Sequence, residues 1–331
     1  MDLHDRRGLK AAARDSLVAA PYDPRKLILF HAGVTIAVSL LGTLLNFVLS
    51  KQIDGTGGLG GLGLRSMLST VQSILQLMVA IALPFWEAGY TYATMKIARN
   101  EETAPDSLLM GFRRFGPLFR LNFTQGLIFA VIGIGCFFVG YYIFMLTPLS
   151  DSLFAIIETI DINSVMTETE IILDDATLNA MADAYTPMIL ISLVLFLIVG
   201  IFISYRFRMA TYLLLDHPHM RAMEALRMST YQLKCKLMAL FKLDLSFLWF
   251  FALEVLVSML AYGDYLLALF NVPLPVSPEV AYFGFLVLSL VCQAGLFIWA
   301  RNRVYVTYAK FYLLTALPLH AECEEGDVNN Q

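Results

Sequence analysis

Residues 187–205 read PMILISLVLFLIVGIFISY, a run without a single charged side chain that is followed at once by Arg206 and Arg208. A helix needs about 20 mainly apolar residues to cross the hydrocarbon core of a bilayer, and this run has that length and character. Five other stretches pass the same test. Six spans are therefore predicted, at 27–50, 69–95, 121–147, 187–205, 240–262 and 280–300.

The composition points the same way. Of 331 residues, 58% are apolar and 15% charged, and the mean hydropathy is +0.67. A soluble domain carries roughly 25% charged residues, so this chain has too few to cover a water-facing surface. A secreted disulfide scaffold, a basic nucleic-acid binder and a disordered acidic protein are excluded on the same ground. The chain reads as all-α, a polytopic bundle of six transmembrane helices.

Orientation follows from the lysines and arginines, which are retained on the cytoplasmic side of short loops. They cluster before span one (Arg6, Arg7, Lys10, Arg14, Arg25, Lys26), between spans two and three, between four and five, and after six. The intervening connections hold only Lys51 and Arg65, so 21 of the 23 basic residues fall on one side. Both termini are predicted inside, with a cytoplasmic N-terminal segment at 1–26, a membrane domain at 27–315 and an acidic, disordered cytoplasmic tail at 316–331. The polar start and the length of the first apolar run argue against a cleaved signal peptide.

Two inner connections carry helical periodicity. In HPHMRAMEALRMSTYQLKCKL, residues 217–237, the positions Met223, Leu226, Thr230, Leu233 and Leu237 form one stripe, with Arg221, Glu224, Lys234 and Lys236 off it. In PDSLLMGFRRFGPLF, Leu108, Phe112, Phe115 and Phe119 form another, beside Arg113 and Arg114. Both are predicted as interfacial amphipathic helices whose bases meet anionic lipid or a partner protein. The candidate contacts are Arg113, Arg114, Arg221, Arg227, Lys234 and Lys236. Self-association is a further possibility, and no nucleic acid is expected.

The outer side has a glycine-rich stretch, GTGGLGGLG at 55–63, which fits a dinucleotide fingerprint only as a string, because no strand precedes it. It is read as a linker. The loop at 148–186 holds eight acids and no base. Leu149, Leu153, Ile156 and Ile160 have helical spacing there. Calcium ligation is conceivable for such carboxylates, but the loop lacks the D-x-D-x-D-G pattern and is read as a solvated acidic cap. Cys136, Cys235, Cys292 and Cys323 form no C-x-x-C pair, so neither a disulfide framework nor a zinc site is indicated.

The inner ends of the spans resemble one another. Leu118-Phe119-Arg120-Leu121-Asn122-Phe123-Thr124 and Leu240-Phe241-Lys242-Leu243-Asp244-Leu245-Ser246 have the same chemical order, and Tyr90-Thr-Tyr-Ala93, Met209-Ala210-Thr-Tyr212 and Tyr308-Ala309-Lys-Phe-Tyr312 close the returning spans. Three hairpins pairing spans 1–2, 3–4 and 5–6 are expected, as in transporters built from parallel repeats.

From Met209 to Trp249 the sequence resembles an uncharacterised bacterial integral membrane family, catalogued as domain of unknown function 975. The residues that carry the resemblance are Ala210, Tyr212, Asp216, Pro218, Glu224, Ala225, Leu226, Ser229, Phe241, Asp244, Ser246, Phe247 and Trp249, with Tyr308, Ala309, Phe311 and Tyr312 later. Lys234-Cys235-Lys236 replaces that family's usual glycine-containing turn. The resemblance implies a multi-pass protein of the bacterial cytoplasmic membrane and attaches no activity to it.

Ionisable groups inside a membrane are costly and are functional candidates by default. Glu254 in span five and Glu87 in span two are the clearest, with Gln76 and Gln293 as polar neighbours and Pro84 as a possible kink site. They could serve a proton- or cation-coupled carrier, or simply hold helices together. Asp244 is expected to pair with Arg301 or Arg303. His31 is expected to be hydrogen-bonded, and His217 and His219 lack partners at metal-binding spacing. With no H-E-x-x-H, G-x-S-x-G or Walker A pattern, no catalytic residue, metal ligand or cofactor is assigned. Two functions stay open, a non-enzymatic accessory or scaffold component and a small-solute or ion carrier using the glutamates.

Overall fold

The computed structural model describes residues 5–55, 61–151, 154, 175–234, 236–263, 265, 267 and 277–316. They are mostly helical, with no strand among the described residues. Five helical stretches are long and apolar enough to cross a membrane: Pro24–Leu45, Ser66–Arg99, Phe115–Met145, Ala182–Asp216 and Val280–Ala316. A sixth arises if Leu237–Leu245 and Leu248–Leu260, bent by 58°, count as one span. The stretch predicted as a span at 240–262 holds two helices that meet at Ser246 and Phe247. The hydroxyl of Ser246 folds back onto the Leu243 carbonyl at 2.5 Å, and the amide of Phe247 donates to the Asp244 carbonyl at 2.9 Å. Such short-range bonds tighten and end a helix.

The chain divides into two compact units, one made of Met1–Leu118 with Met209–Gln331, the other of Phe119–Arg208. In the second unit, helix α5 (Phe115–Met145) and helix α6 (Asp175–Phe207) form an antiparallel hairpin, the one expected for spans three and four. Its contacts run in order from Phe144 against Ala184 and Met188 to Gly200 against Phe129. Gly140 sits so close to the facing helix that a Cβ would lie 2.1 Å from the Ser192 hydroxyl. Small residues at such crossings let membrane helices approach.

The first unit holds helices α1 (Arg6–Ala19), α2 (Pro24–Gly55), α3 (Gly61–Arg99) and α4 (Met110–Arg113). It continues with α7 (Ala210–Asp216), α8 (Ala222–Leu233), α9 (Leu237–Leu245) and α10 (Leu248–Leu260). It ends with α11 (Pro278–Leu296), a π-turn at Phe297–Arg301 and α12 (Asn302–Ala316). Pro84 lies within the continuous helix α3. The polar N-terminal segment is itself structured: Asp5 caps α1 by accepting from the amides of Arg7 and Gly8, and Leu9, Ala13 and Ser16 are buried where α1 packs on α3 and α12.

Burial is concentrated at one level. Phe85 to Ala98 of α3, the start of α2, α7 and most of α12 supply fully covered side chains, whereas Leu41 of α2 and Met67, Leu77 and Met78 of α3 are exposed. Apolar side chains left uncovered on long apolar helices fit lipid as the surrounding solvent.

The two amphipathic stripes are arranged only in part as their periodicity predicts, with Leu226 and Leu233 buried as expected. On α8 the buried positions are Ala225, Leu226, Ser229, Gln232 and Leu233, while Met223 is 61% exposed. Small size decides this: Ala225 and Ser229 allow close approach, and the Ser229 hydroxyl accepts from the Met209 amide at 3.2 Å. The Phe112 stripe is not one helix. A 3₁₀ turn at Pro105–Leu109 leads into α4, and Arg114 breaks the chain before α5 begins. Packing on α3 explains the break: a Cβ on Gly111 would lie 1.8 Å from the Phe85 carbonyl oxygen, and one on Gly89 would lie 1.8 Å from that of Leu108. Of the stripe expected at Leu149, Leu153, Ile156 and Ile160, only Leu149 is described, exposed in a 3₁₀ turn at Pro148–Ser150; the other three, Cys235, Cys323, the tail beyond Ala316 and most of the glycine linker lie outside the described residues.

Candidate functional site

The first unit gathers its charges into three groups. The deepest centres on Arg301, at the end of the π-turn. A π-turn widens one turn of helix and is often found at functional sites. This one leads into two successive buried polar residues, Arg301 and Asn302. Arg301 Nη2 donates to both carboxylate oxygens of Glu87 at 2.6 Å and to the Tyr305 hydroxyl at 3.3 Å. Its guanidinium stands 4.1 Å from the Phe297 ring centre and within 5.4 Å of Tyr90, a cation–π surround suited to a weakly hydrated cation. The Tyr90 hydroxyl donates to Asn302 at 2.6 Å, and Asn302 donates to the Pro24 carbonyl at 2.8 Å. One network therefore ties α2, α3 and α12 together.

His31 completes this group without the hydrogen bond expected for its ring. The ring is fully buried and stacked on Trp86, with centroids 5.4 Å apart and planes 8° from parallel, and Tyr90 lies 4.5 Å away. Its Nε2 is 3.7 Å from Glu87, beyond hydrogen-bond range, and neither ring nitrogen has a partner among the described residues. The backbone is held instead, because the Trp86 indole donates to the His31 carbonyl at 3.3 Å.

The second group surrounds Asp216. Arg99 Nη2 donates to both its oxygens at 2.7 Å, and the Tyr312 hydroxyl donates at 2.9 Å. Tyr312 stacks on Tyr212, centroids 5.4 Å apart. The third is at Asp244, where the Tyr308 hydroxyl donates. Arg301, one of the two bases expected beside Asp244, is bound to Glu87. Tyr305, Tyr308 and Tyr312 follow helical spacing along α12; Tyr305 meets Arg301 one turn earlier, while Tyr308 and Tyr312 meet Asp244 and Asp216 from other elements. The residues that carry the family resemblance are thus largely the joints of this core.

The sequence-derived candidates separate accordingly. Glu254 on α10 is half-buried and lies in the field of Arg301 and Glu87, without an ion pair to either among the described residues. Gln76 and Gln293 are not drawn in. Gln76 is exposed eleven residues before Glu87, about 16 Å along the helix, and Gln293 is eight residues before Arg301, about 12 Å along. Among the six bases named as candidate contacts, Arg114 is used internally: its Nη1 donates to the carbonyls of Leu214 and Leu215 at 2.9 Å and finishes α7. Arg113 pairs with Asp106 at 2.8 Å on the surface. Arg221, Arg227 and Lys234 are exposed, and Lys236 is half-buried. Arg301 is the residue that sequence reasoning misplaced, and its signal is faint, an arginine at the end of a long, mainly apolar run. No group of three or more His, Cys, Asp or Glu side chains among the described residues could hold a metal ion.

Comparison with known proteins yields one match. A family model described as "Protein of unknown function (DUF975)" matches residues 3–314. No curated protein and no solved structure matches the chain.

Proposed function

Because the chain belongs to the family described as protein of unknown function (DUF975), we propose its role from its geometry: a non-enzymatic accessory or scaffold component of the bacterial cytoplasmic membrane. It crosses the bilayer six times with both termini inside. The one-sided distribution of 21 against 2 basic residues supports that orientation.

The observation that carries the role is the pairing of Glu87 with Arg301. A carrier that loads and releases a cation needs a carboxylate free to exchange partners. Glu87 is instead gripped at both oxygens, and the surrounding bonds lock α2, α3 and α12 into one platform. That platform presents the outer side of α8, where Arg227 and Lys234 stand among exposed Met223 and Tyr231. Such a face suits an acidic, partly apolar segment of a partner protein.

Glu254 keeps the carrier as the second function, since its carboxylate has no ion pair among the described residues. Reconstitution into proteoliposomes under imposed proton and sodium gradients separates the two. The accessory role predicts no flux above that of empty vesicles. A flux present in the parent and lost in Glu254→Gln overturns it in favour of the carrier.

A further inference from the structure

A separate cleft in the first unit has a chemistry that the network around Arg301 does not use. Its volume is about 180 Å³, roughly that of six water molecules. Three cations line it, Lys10 and Arg14 from α1 and Arg303 from α12, and no carboxylate does. Lys10 and Arg14 are one turn apart on α1, so they share a face. The Lys10 ammonium is held over the Phe247 ring, 4.1 Å from its centre, and donates to the Ser246 carbonyl at 3.2 Å, at the bend between α9 and α10. Arg14 and Arg303 are exposed and have no ion pair among the described residues. Beside the cations stand Trp249 and Trp299, edge to face with centroids 5.1 Å apart, and 43% and 59% exposed.

Each component has a physical consequence. Three like charges around one small cleft repel one another and attract an anion. Burial and the nearby Arg6 together hold the Lys10 amine below its usual pKa, and a bound anion would relieve both effects. Tryptophans with an apolar body and a polar edge collect at the headgroup level of membranes. Basic pockets between helices on the cytoplasmic side suit phosphate-bearing headgroups. A soluble phosphate would satisfy the cations but leave the two indoles uncovered. A phospholipid would meet both.

We propose that this cleft binds the headgroup of an anionic phospholipid, its phosphate taken by Lys10, Arg14 and Arg303 and its glycerol and upper chains laid against Trp249 and Trp299. The site rests on the inner-face assignment made above, but its occupation is measured in detergent, where no orientation is involved and the two can fail separately.

The test is native mass spectrometry of the purified full chain titrated with phosphatidylglycerol or phosphatidylcholine. One phosphatidylglycerol is retained per chain in preference to phosphatidylcholine, and Arg14→Gln/Arg303→Gln weakens its retention on the order of thirtyfold. Arg25→Gln/Lys26→Gln, exposed at the start of α2 and outside the cleft lining, leaves retention unchanged. A second measurement needs no substitution: brominated phosphatidylglycerol quenches tryptophan fluorescence more strongly than brominated phosphatidylcholine at equal mole fraction. Equal retention of the two lipids with equal quenching overturns the site, as does retention unaffected by the double substitution. If inorganic phosphate alone displaces the lipid and protects the protein with the same dependence on Arg14 and Arg303, the ligand is a soluble phosphate and the lipid assignment is overturned.

Discussion

Both carboxylate oxygens of Glu87 lie 2.6 Å from one guanidinium nitrogen of Arg301, joining residues 214 positions apart in the chain. Arg301 is only 5% exposed at its side chain and Glu87 37%. The cation is therefore the dry partner, with the carboxylate providing its counter-charge from the open side. Removing either charge strands the other, which is costly for a buried ion. The pair reads as a clamp between helices α3 and α12, reinforced by the Tyr90–Asn302–Pro24 chain beside it.

Glu87→Gln leaves the Arg301 guanidinium buried without the carboxylate that binds it. The expected loss is about 2 kcal/mol, below the range for fully buried pairs because Glu87 is partly open. Thermal unfolding in detergent measures it. A variant as stable as the parent shows that the pair does not clamp the helices.

Gly89→Ala and Gly111→Ala place a Cβ against backbone carbonyls, which cannot swing aside as a side chain can. Each is expected to lower stability by about 1–3 kcal/mol or more, whereas Gly126→Ala, with nothing within 4 Å of its Cβ, is neutral or mildly stabilising. Melting temperatures of the three variants, compared side by side, check this. Equal melting temperatures would mean that the α3 crossing is looser than described.

Much of this architecture is legible in the sequence, for a reason particular to membranes. Lipid demands long apolar runs, and these are visible without knowledge of tertiary contacts. The bend at Ser246 is not visible, since no proline or glycine marks it and the apolar run resumes at Phe247. Distant residues meet the chain there instead: Lys10 at the Ser246 carbonyl and Tyr308 at Asp244. The inward face of α8 is hidden for a different reason. Hydrophobicity favours Met223, but close packing selects Ala225 and Ser229. Glu87 and Glu254 stand out as charges in apolar surroundings. Arg301 does not, because an arginine at a span's inner end looks like an ordinary topological anchor until the π-turn and the register of α3 set it against Glu87.

The threading itself makes a labelling prediction. In a cysteine-free background, Leu146→Cys and Tyr262→Cys react with a membrane-impermeant maleimide added to intact cells. His219→Cys and Met223→Cys react only after permeabilisation. All four positions are exposed, so differences in labelling report the side of the membrane. Labelling of His219→Cys in intact cells would invert the assigned topology.

The most direct test of the scaffold role is site-specific photocrosslinking from Tyr231, replaced in living cells by a photoreactive amino acid. Tyr231 is 60% exposed on α8, between Arg227 and Lys234. One defined protein adduct is predicted, lost when Arg227→Glu and Lys234→Glu are introduced together and retained with Arg113→Glu. Adducts to lipid alone, or a protein adduct indifferent to the charge reversals, would contradict the proposed role.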